Sequence, residues 1–325
     1  MANPRHKQAT FLYKTLWSAV WLFIAALWLC PPVGVEAGPL PAAVAQEREA
    51  LPAQNWDPGE LYAILNSSNP EARANLYRAA FAAGPSIIPK LANALKDDRT
   101  AEFAAQELAF LGGERAFAIL AKLVNDPRNL DLRRFYYGAL GGTDDPQSIG
   151  ILLDKIRTSD REPDRDVTQD AILALSISSD PSLIPKLRQA EKDVTDPVVQ
   201  DDINTAATVI ELRAKYLASP AGKSSGTSVR QSIRTYFMPA LEAPPDASQG
   251  SDENSQVKVH IKDDRISFSP DKTRALAAVA FETPQAVASY WMVLEKKQSG
   301  WKIASVWLGE EREKTPPASQ PAEPK

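Results

Sequence analysis

The sequence predicts a mainly α-helical protein, in which an α–α superhelix is followed by a small α+β domain with an antiparallel sheet. Apolar residues between positions 58 and 218 recur at steps of three and four, which is the spacing of amphipathic helices. Within that region one eight-residue phrase occurs twice, which indicates internal repetition. From position 257 onward the apolar period changes to two, and this alternation is typical of strands.

The N-terminal 37 residues have the features of a secretory signal peptide. Basic residues without any acid precede position 15, and an uncharged run follows from 16 to 29. Prolines then break the run before a small-residue cleavage pattern at 35–37, with a second pattern at 43–45. The uncharged stretch 15–35 also approaches the length of a membrane span, so an uncleaved N-terminal anchor is the alternative. We therefore expect a periplasmic or secreted protein, or a membrane-anchored one with extracytoplasmic domains.

Composition argues against several classes of function. The formal net charge of −4 provides no basic field for nucleic acid, so we expect no nucleic-acid partner. The single cysteine, Cys30, lies in the N-terminal apolar run, so a cleaved chain would have no thiol for a disulfide or a metal site. Residues 38–57 are rich in Pro and Ala without helical periodicity, and we expect a disordered tether there.

Residues 58–218 are short helical segments separated by Asp-Pro, Gly-Pro and Gly-Gly. The phrase GPSIIPKL at 84–91 recurs as DPSLIPKL at 180–187, and weaker copies lie between them at 115–120 and 147–152. The period is roughly 30 residues, which suffices for two helices and two turns. Such a unit buries its apolar face only by stacking on its neighbours, and this predicts a solenoid. Each copy ends in a leucine, namely Leu91, Leu120, Leu152 and Leu187.

Three longer phrases carry a family resemblance. They are AAQELAFLGGERAFAILAKLVND at 104–126, LRRFYYGALGG at 132–142 and AILALSISSDPSLIPKL at 171–187. These phrases resemble HEAT repeats of the short bacterial type named after phycobilisome lyases. In that type an Ala-rich first helix ends in Leu-Gly, and the second helix contains Ile-Pro-x-Leu. The resemblance implies a binding scaffold and does not imply lyase chemistry.

The repeat register predicts a binding row in the groove that the second helices of such solenoids line. Two residues after each repeat leucine lies a polar residue, which is either merely solvated or contacts a protein or peptide partner. This row consists of Asn93, Lys122, Asp154 and Gln189. A second set combines Arg and Tyr, which are frequent at interfaces, although packing between repeats is the alternative. That set consists of Arg133, Arg134, Tyr136 and Tyr137.

The remainder of the chain is predicted as a linker, a small domain and a tail. Residues 219–228 form a Ser/Gly-rich linker, 229–310 the α+β domain and 311–325 a disordered tail. A helix at 229–241 precedes a hairpin that turns at Asp263-Asp264. Three longer strands follow, at 275–281, 286–296 and 301–309. The last pair of strands resembles the closing hairpin of nuclear-transport-factor-like or SnoaL-like cone domains, some of which hold a ligand or an acid/base residue.

No constellation of residues indicates an active site. His260 is the only histidine beyond the N-terminal segment, and alternation places it on the polar side of its strand. No spacing of His, Cys and carboxylates is typical of a metal site, so we expect no metal, no cofactor and no catalytic residue.

The predicted function is an exported, non-enzymatic scaffold or adaptor that binds a protein or peptide of the cell envelope through the HEAT groove. It would contact a membrane only through residues 15–35, if they are uncleaved. The alternative is a cone-like C-terminal domain that binds a small ligand, with or without weak enzymatic activity, and is presented by the solenoid.

Overall fold

The computed structural model of the chain describes residues 56–143, 145–162, 164–219, 228–241, 258–282 and 286–313. The predicted signal or anchor, the tether up to residue 55, most of the linker and the tail beyond residue 313 lie outside the described residues. None of the helices within the described ranges combines the length and the apolar character that crossing a membrane requires.

The helical region consists of short helices that alternate between two layers. Several of them begin where Asp or Asn precedes Pro, because the acid or amide accepts a hydrogen bond from a backbone N–H of the first turn and Pro needs no such bond. The bounds are α1 Pro58–Leu65, α2 Pro70–Ala83, α3 Ile88–Ala94, α4 Ala101–Leu111, α5 Gly113–Val124, α6 Arg133–Gly142, α7 Pro146–Arg157, α8 Arg165–Ser176, α9 Leu183–Asp193, α10 Pro197–Ala218 and α11 Val229–Leu241.

Each of the helices α2 to α10 contacts a neighbouring helix in the chain and a helix two places away. We call α2, α4, α6, α8 and α10 the first layer, since each packs on the next in that order. We call α3, α5, α7 and α9, which are stacked in the same way, the second layer. The predicted helical region is therefore confirmed. The repeat leucines lie between the layers with exposed fractions of at most 1%: Leu91, Leu120, Leu152 and Leu187.

The C-terminal part is an antiparallel sheet with strand order β1-β2-β3-β4, as the sequence predicts in outline. The bounds are β1 Lys258–Phe268, β2 Arg274–Glu282, β3 Ala286–Lys297 and β4 Gly300–Glu313. The predicted hairpin at Asp263-Asp264 is wrong. Ile261 and Ile266 both pair with β2 across a register shift, and both pack on one core, so β1 is a single bulged strand. Strand β4 also passes the predicted boundary at 310, because Glu313 pairs with Ala286.

The sheet is packed between the helical stack and α11. On one face, Leu276, Trp291 and Val293 join Phe81 of α2 and Phe110 of α4 in one apolar cluster. On the opposite face, Val229 and Ile233 of α11 pack on side chains of β2 and β3, among them Ala277 and Met292. The outer side of the first layer is therefore covered where the sheet crosses it.

Arg274 of β2 connects the sheet to the ends of two helices. Its guanidinium donates to the carbonyls of Ala109 at 3.1 Å and Phe110 at 2.8 Å in α4, and to that of Gly142 at 3.0 Å in α6. Carbonyls at a helix C-terminus lack partners within the helix and carry partial negative charge, which suits a cation. The approach requires a glycine at position 112, where φ is +64° and an added Cβ would lie 1.9 Å from an Arg274 Nη atom.

A second connection joins α11 to the far end of the stack. The Tyr236 hydroxyl donates to the carbonyl of Ile177 at 2.8 Å, just beyond α8. The Arg213 guanidinium of α10 lies 3.9 Å from the centre of the Tyr236 ring and donates to the carbonyls of Ser176 and Ser178. Cation–π and charge-assisted contacts therefore hold α11 against α8 and α10.

Candidate functional site

The predicted binding row lies on the solvent side of the second layer. Successive residues of an α-helix are rotated by about 100°, so a residue two positions after an inward-pointing leucine faces roughly away from the core. The four members occupy four successive second-layer helices and are all exposed: Asn93 on α3, Lys122 on α5, Asp154 on α7 and Gln189 on α9. We call the outer side of α3, α5, α7 and α9 the second-layer face.

The side chains of this row are only lightly engaged within the protein. Asn93 Oδ1 accepts from Lys96 Nζ at 3.3 Å, and Gln189 Nε2 donates to Asp193 at 3.4 Å. The side chains of Lys122 and Asp154 make no hydrogen bond or ion pair with any part of the chain that the structure describes. Each row member is therefore available for contact with another molecule.

Sequence reasoning missed the small residues that flank the row. The residues two positions before each repeat leucine are also exposed, and all are compact: Pro89, Ala118, Gly150 and Pro185. Because these side chains project little, a bound chain could approach the helices closely between the longer side chains of the row. The repeat register would have identified them, since they lie at equal distance on the other side of each leucine.

The open side of the stack is the second layer. The extensive contacts of α3, α5, α7 and α9 are with each other and with first-layer helices. The first layer, in contrast, packs against β1 through α2 and against β4 through α6. The sheet therefore occupies the side opposite the predicted row and leaves the row uncovered by any described element.

The Arg/Tyr set does not form an open interface patch. Tyr136, Tyr137 and Arg134 are 0%, 7% and 8% exposed, because α6 is a central first-layer helix with neighbours on both sides and β4 above it. Arg134 Nε lies 3.2 Å from the carboxylate of Asp170 on α8. Arg133, which is half-buried, donates to Glu162 at 2.9 Å. The interface hypothesis is wrong for the three buried residues, and packing between repeats accounts for them.

Three buried carboxyl groups of the first layer have raised pKa values. Burial raises the pKa of Asp170 to about 7 against the opposing effect of Arg134, and burial raises the pKa of Asp202 to about 6. Burial also raises the pKa of Glu107 on α4 well above its usual range. These carboxyl groups lie at helix–helix contacts. Among the described residues, no cluster of three or more His, Cys, Asp or Glu side chains could hold a metal ion.

The raised pKa of Asp170 predicts a protein that loses stability as pH rises. A carboxyl whose pKa changes from 3.8 to about 7 on folding stabilises the fold fully below about pH 4, and this contribution is lost as pH rises through about 7. Asp170→Asn should therefore flatten the dependence of the unfolding free energy on pH between about 4 and 7, by at most about 1.4 kcal/mol per pH unit. Urea unfolding at a series of pH values measures this slope. The exposed change Asp154→Asn is the control, and equal slopes in both variants would contradict the prediction.

His260 and the aromatic residues of the sheet do not form a catalytic arrangement. His260 is exposed, and its Nε2 lies 2.9 Å from a carboxylate oxygen of Glu282 on the neighbouring strand, which makes a cross-strand pair. Trp291 packs on Tyr77 of α2 with ring centres 5.5 Å apart, and Trp301 packs on the core beneath α11. These aromatic side chains therefore contribute to the junctions that hold the sheet in place.

No family model matches the chain, and no curated protein has significant similarity to it. The second-layer face, with exposed polar residues on four successive helices, is the candidate site.

Proposed function

We propose that this chain is an exported, non-enzymatic scaffold or adaptor. Its helical stack is a HEAT-type solenoid that binds a protein or peptide of the cell envelope through the second-layer face. The observation that carries the proposal is the asymmetry of the stack. The sheet covers the first layer, whereas Asn93, Lys122, Asp154 and Gln189 stand exposed on four successive helices of the second layer. Export is inferred from residues 1–37 alone.

The second-layer face is suited to binding because it is rigid and polar. Each helix is anchored by a leucine that is at most 1% exposed, so the row is held in place before any partner arrives. A preorganised surface loses little conformational entropy on binding, which favours affinity. Its exposed side chains are polar or small, so it does not present the large apolar patch that drives permanent association.

The filled faces of the sheet favour this proposal over a ligand-binding cone. The side chains of Ala277, Met292 and Leu294 are 0% exposed and pack together with Ile233 of α11. A small-molecule site would require convergent polar groups on such a face. The face instead carries a continuous apolar core, which supports a structural role for the C-terminal domain.

A charge exchange on the second-layer face tests the proposal. A photoreactive amino acid at position 93 should give a discrete adduct in a native envelope extract. Combining Lys122→Glu with Asp154→Lys leaves the net charge unchanged but inverts the local pattern, and the adduct yield should fall at least about tenfold because like charges then oppose the bound partner. Circular dichroism should show unchanged helicity.

The matched control exchanges charges on α10, outside the second layer. Lys215→Glu with Asp201→Lys alters two exposed residues and likewise preserves net charge. This variant should retain the adduct. The proposal fails if the exchange at 122 and 154 leaves the adduct intact, or if a photoreactive group at Lys296 on the sheet captures the same species equally well.

A further inference from the structure

We infer that the occupant of the second-layer face is an acidic protein segment bound in an extended conformation. This inference rests on the proposed function and adds the chemistry of the partner. It comes from an excess of cations that have no ion pair among the described residues, on the side of the stack opposite the sheet, in a chain whose overall charge is −4.

Every helix of the second layer carries one net positive charge. Helix α3 has one cation, α5 and α7 each have two cations and one acid, and α9 has three cations and two acids. The residues concerned are Lys90 in α3; Glu114, Arg115 and Lys122 in α5; Asp154, Lys155 and Arg157 in α7; and Lys186, Arg188, Glu191, Lys192 and Asp193 in α9. On α7, however, Lys155 is buried and pairs with Glu162, so the exposed excess lies on α3, α5 and α9.

Internal ion pairs engage two of the four acids of these helices, each together with a cation. Asp193 pairs with Arg157 at 3.5 Å, and Glu191 pairs with Arg188 at 3.3 Å. Only Glu114 and Asp154 remain as exposed acids without an ion pair among the described residues of these helices. Five exposed cations have no such partner within the same ranges, namely Lys90, Arg115, Lys122, Lys186 and Lys192. Carboxylates are therefore the complementary groups for a partner.

The spacing of the helices sets the length of the partner segment. Packed helices lie about 8–10 Å apart, so the four second-layer helices span about 24–30 Å. An extended chain advances about 3.3 Å per residue, so about eight or nine residues cross all four helices. Carboxylates opposite α3, α5 and α9 would then meet the cations without an ion pair on those helices, and a hydrogen-bond donor of the segment would meet Asp154 on α7.

The remaining side chains of the face suit the backbone of such a segment. The compact residues Pro89, Ala118, Gly150 and Pro185 leave room for a chain to approach the helices. Asn93 and Gln189 carry amides, each of which offers donors and an acceptor to peptide N–H and C=O groups. The cations would attract the carboxylates of the segment, and the amides would fix its position along the face through hydrogen bonds to its backbone.

Binding of synthetic peptides to the full chain tests the inference. The probe is a fluorescein-labelled twelve-residue peptide with Glu at every third position and Ser or Ala elsewhere, and its neutral and basic analogues carry Gln or Lys in place of Glu. Fluorescence anisotropy should give an affinity for the Glu peptide at least about tenfold higher than for the Gln peptide at low salt. This difference should shrink as ionic strength increases, because surface charges are then screened.

A matched pair of variants locates the binding. Lys90→Glu with Lys122→Glu should weaken the Glu peptide at least about tenfold, whereas Lys215→Glu with Lys296→Glu, which changes net charge equally outside the face, should alter it less than about twofold. A photoreactive residue at position 93 should crosslink the Glu peptide.

The outcomes separate this inference from the proposed function. The acidic partner is overturned if the Gln or Lys peptide binds at least as tightly as the Glu peptide and also crosslinks at position 93. That result leaves the docking face in place. Equal losses in both variant pairs, or tighter binding of a twelve-nucleotide single strand, also overturn the acidic partner. Failure of the envelope adduct at position 93, in contrast, contradicts the docking face itself.

Discussion

Replacing Arg274 with alanine is expected to lower the free energy of unfolding by about 3–5 kcal/mol, because it leaves buried carbonyls without their donor at about 1–3 kcal/mol each. The side chain is 6% exposed and is the donor to three carbonyls at the ends of α4 and α6. Without the guanidinium these carbonyls remain buried between the helices and the sheet, and the apolar cluster around Phe110 loses its alignment. Urea unfolding followed by circular dichroism measures the loss.

Two further variants identify the cause of that loss. Lys296→Ala removes an exposed cation from the neighbouring strand and should change stability by less than about 0.5 kcal/mol. Gly112→Ala should destabilise the wild-type protein, since the new Cβ would meet Arg274 at 1.9 Å, and part of this cost should vanish in the Arg274→Ala background. A loss below about 1 kcal/mol for Arg274→Ala, or full additivity of the two changes, would argue against a junction held by this side chain.

Replacing Glu107 with methionine is expected to raise the free energy of unfolding by about 1–3 kcal/mol at pH 8, since an apolar side chain of similar size removes a buried carboxyl group that has no hydrogen bond. Glu107 is 0% exposed, and neither carboxylate oxygen has a hydrogen-bond partner among the described residues. The surrounding first layer therefore contains a polar group whose desolvation nothing offsets.

The dependence on pH distinguishes this effect from simple repacking. Because burial raises the pKa of Glu107 above its usual 4.5, the folded protein retains a proton that the unfolded chain releases as pH rises. The contribution of Glu107 is therefore present below about pH 4.5 and lost at higher pH, so the gain from Glu107→Met should be larger at pH 8 than at pH 5. Glu114→Met, at an exposed position of α5, serves as the control. A gain that is the same at both pH values would contradict this explanation.

The helical stack was predictable because its determinants are local and repeated. Leucines that recur at nearly constant spacing predict a row of buried side chains. The residue two positions after each leucine then faces roughly away from that row, toward solvent. Leu120 and Lys122 illustrate this, since the first is 0% exposed and the second is exposed. Burial of Tyr136 could not be read in this way, because its cover comes from other helices of the stack.

The junction between sheet and helices could not be predicted from the sequence. Arg274 lies more than 130 residues from Gly142, and nothing near either position indicates that they meet. Gly112 reads as the usual end of a helix, whereas in the structure it also leaves space for the guanidinium. Asp263-Asp264 is likewise typical of a turn, yet β2 is long enough to pair with both halves of β1.

The packing of the sheet on the first layer has a consequence for how the chain assembles. A ribosome or a translocon delivers the N-terminal helices first, so Phe81 and Phe110 emerge long before the strands that cover them. The cluster can close only after β3 and β4, which end at Glu313, have emerged. Until then the stack exposes an apolar side that is prone to aggregation, and a chain truncated before β3 would retain that hazard permanently.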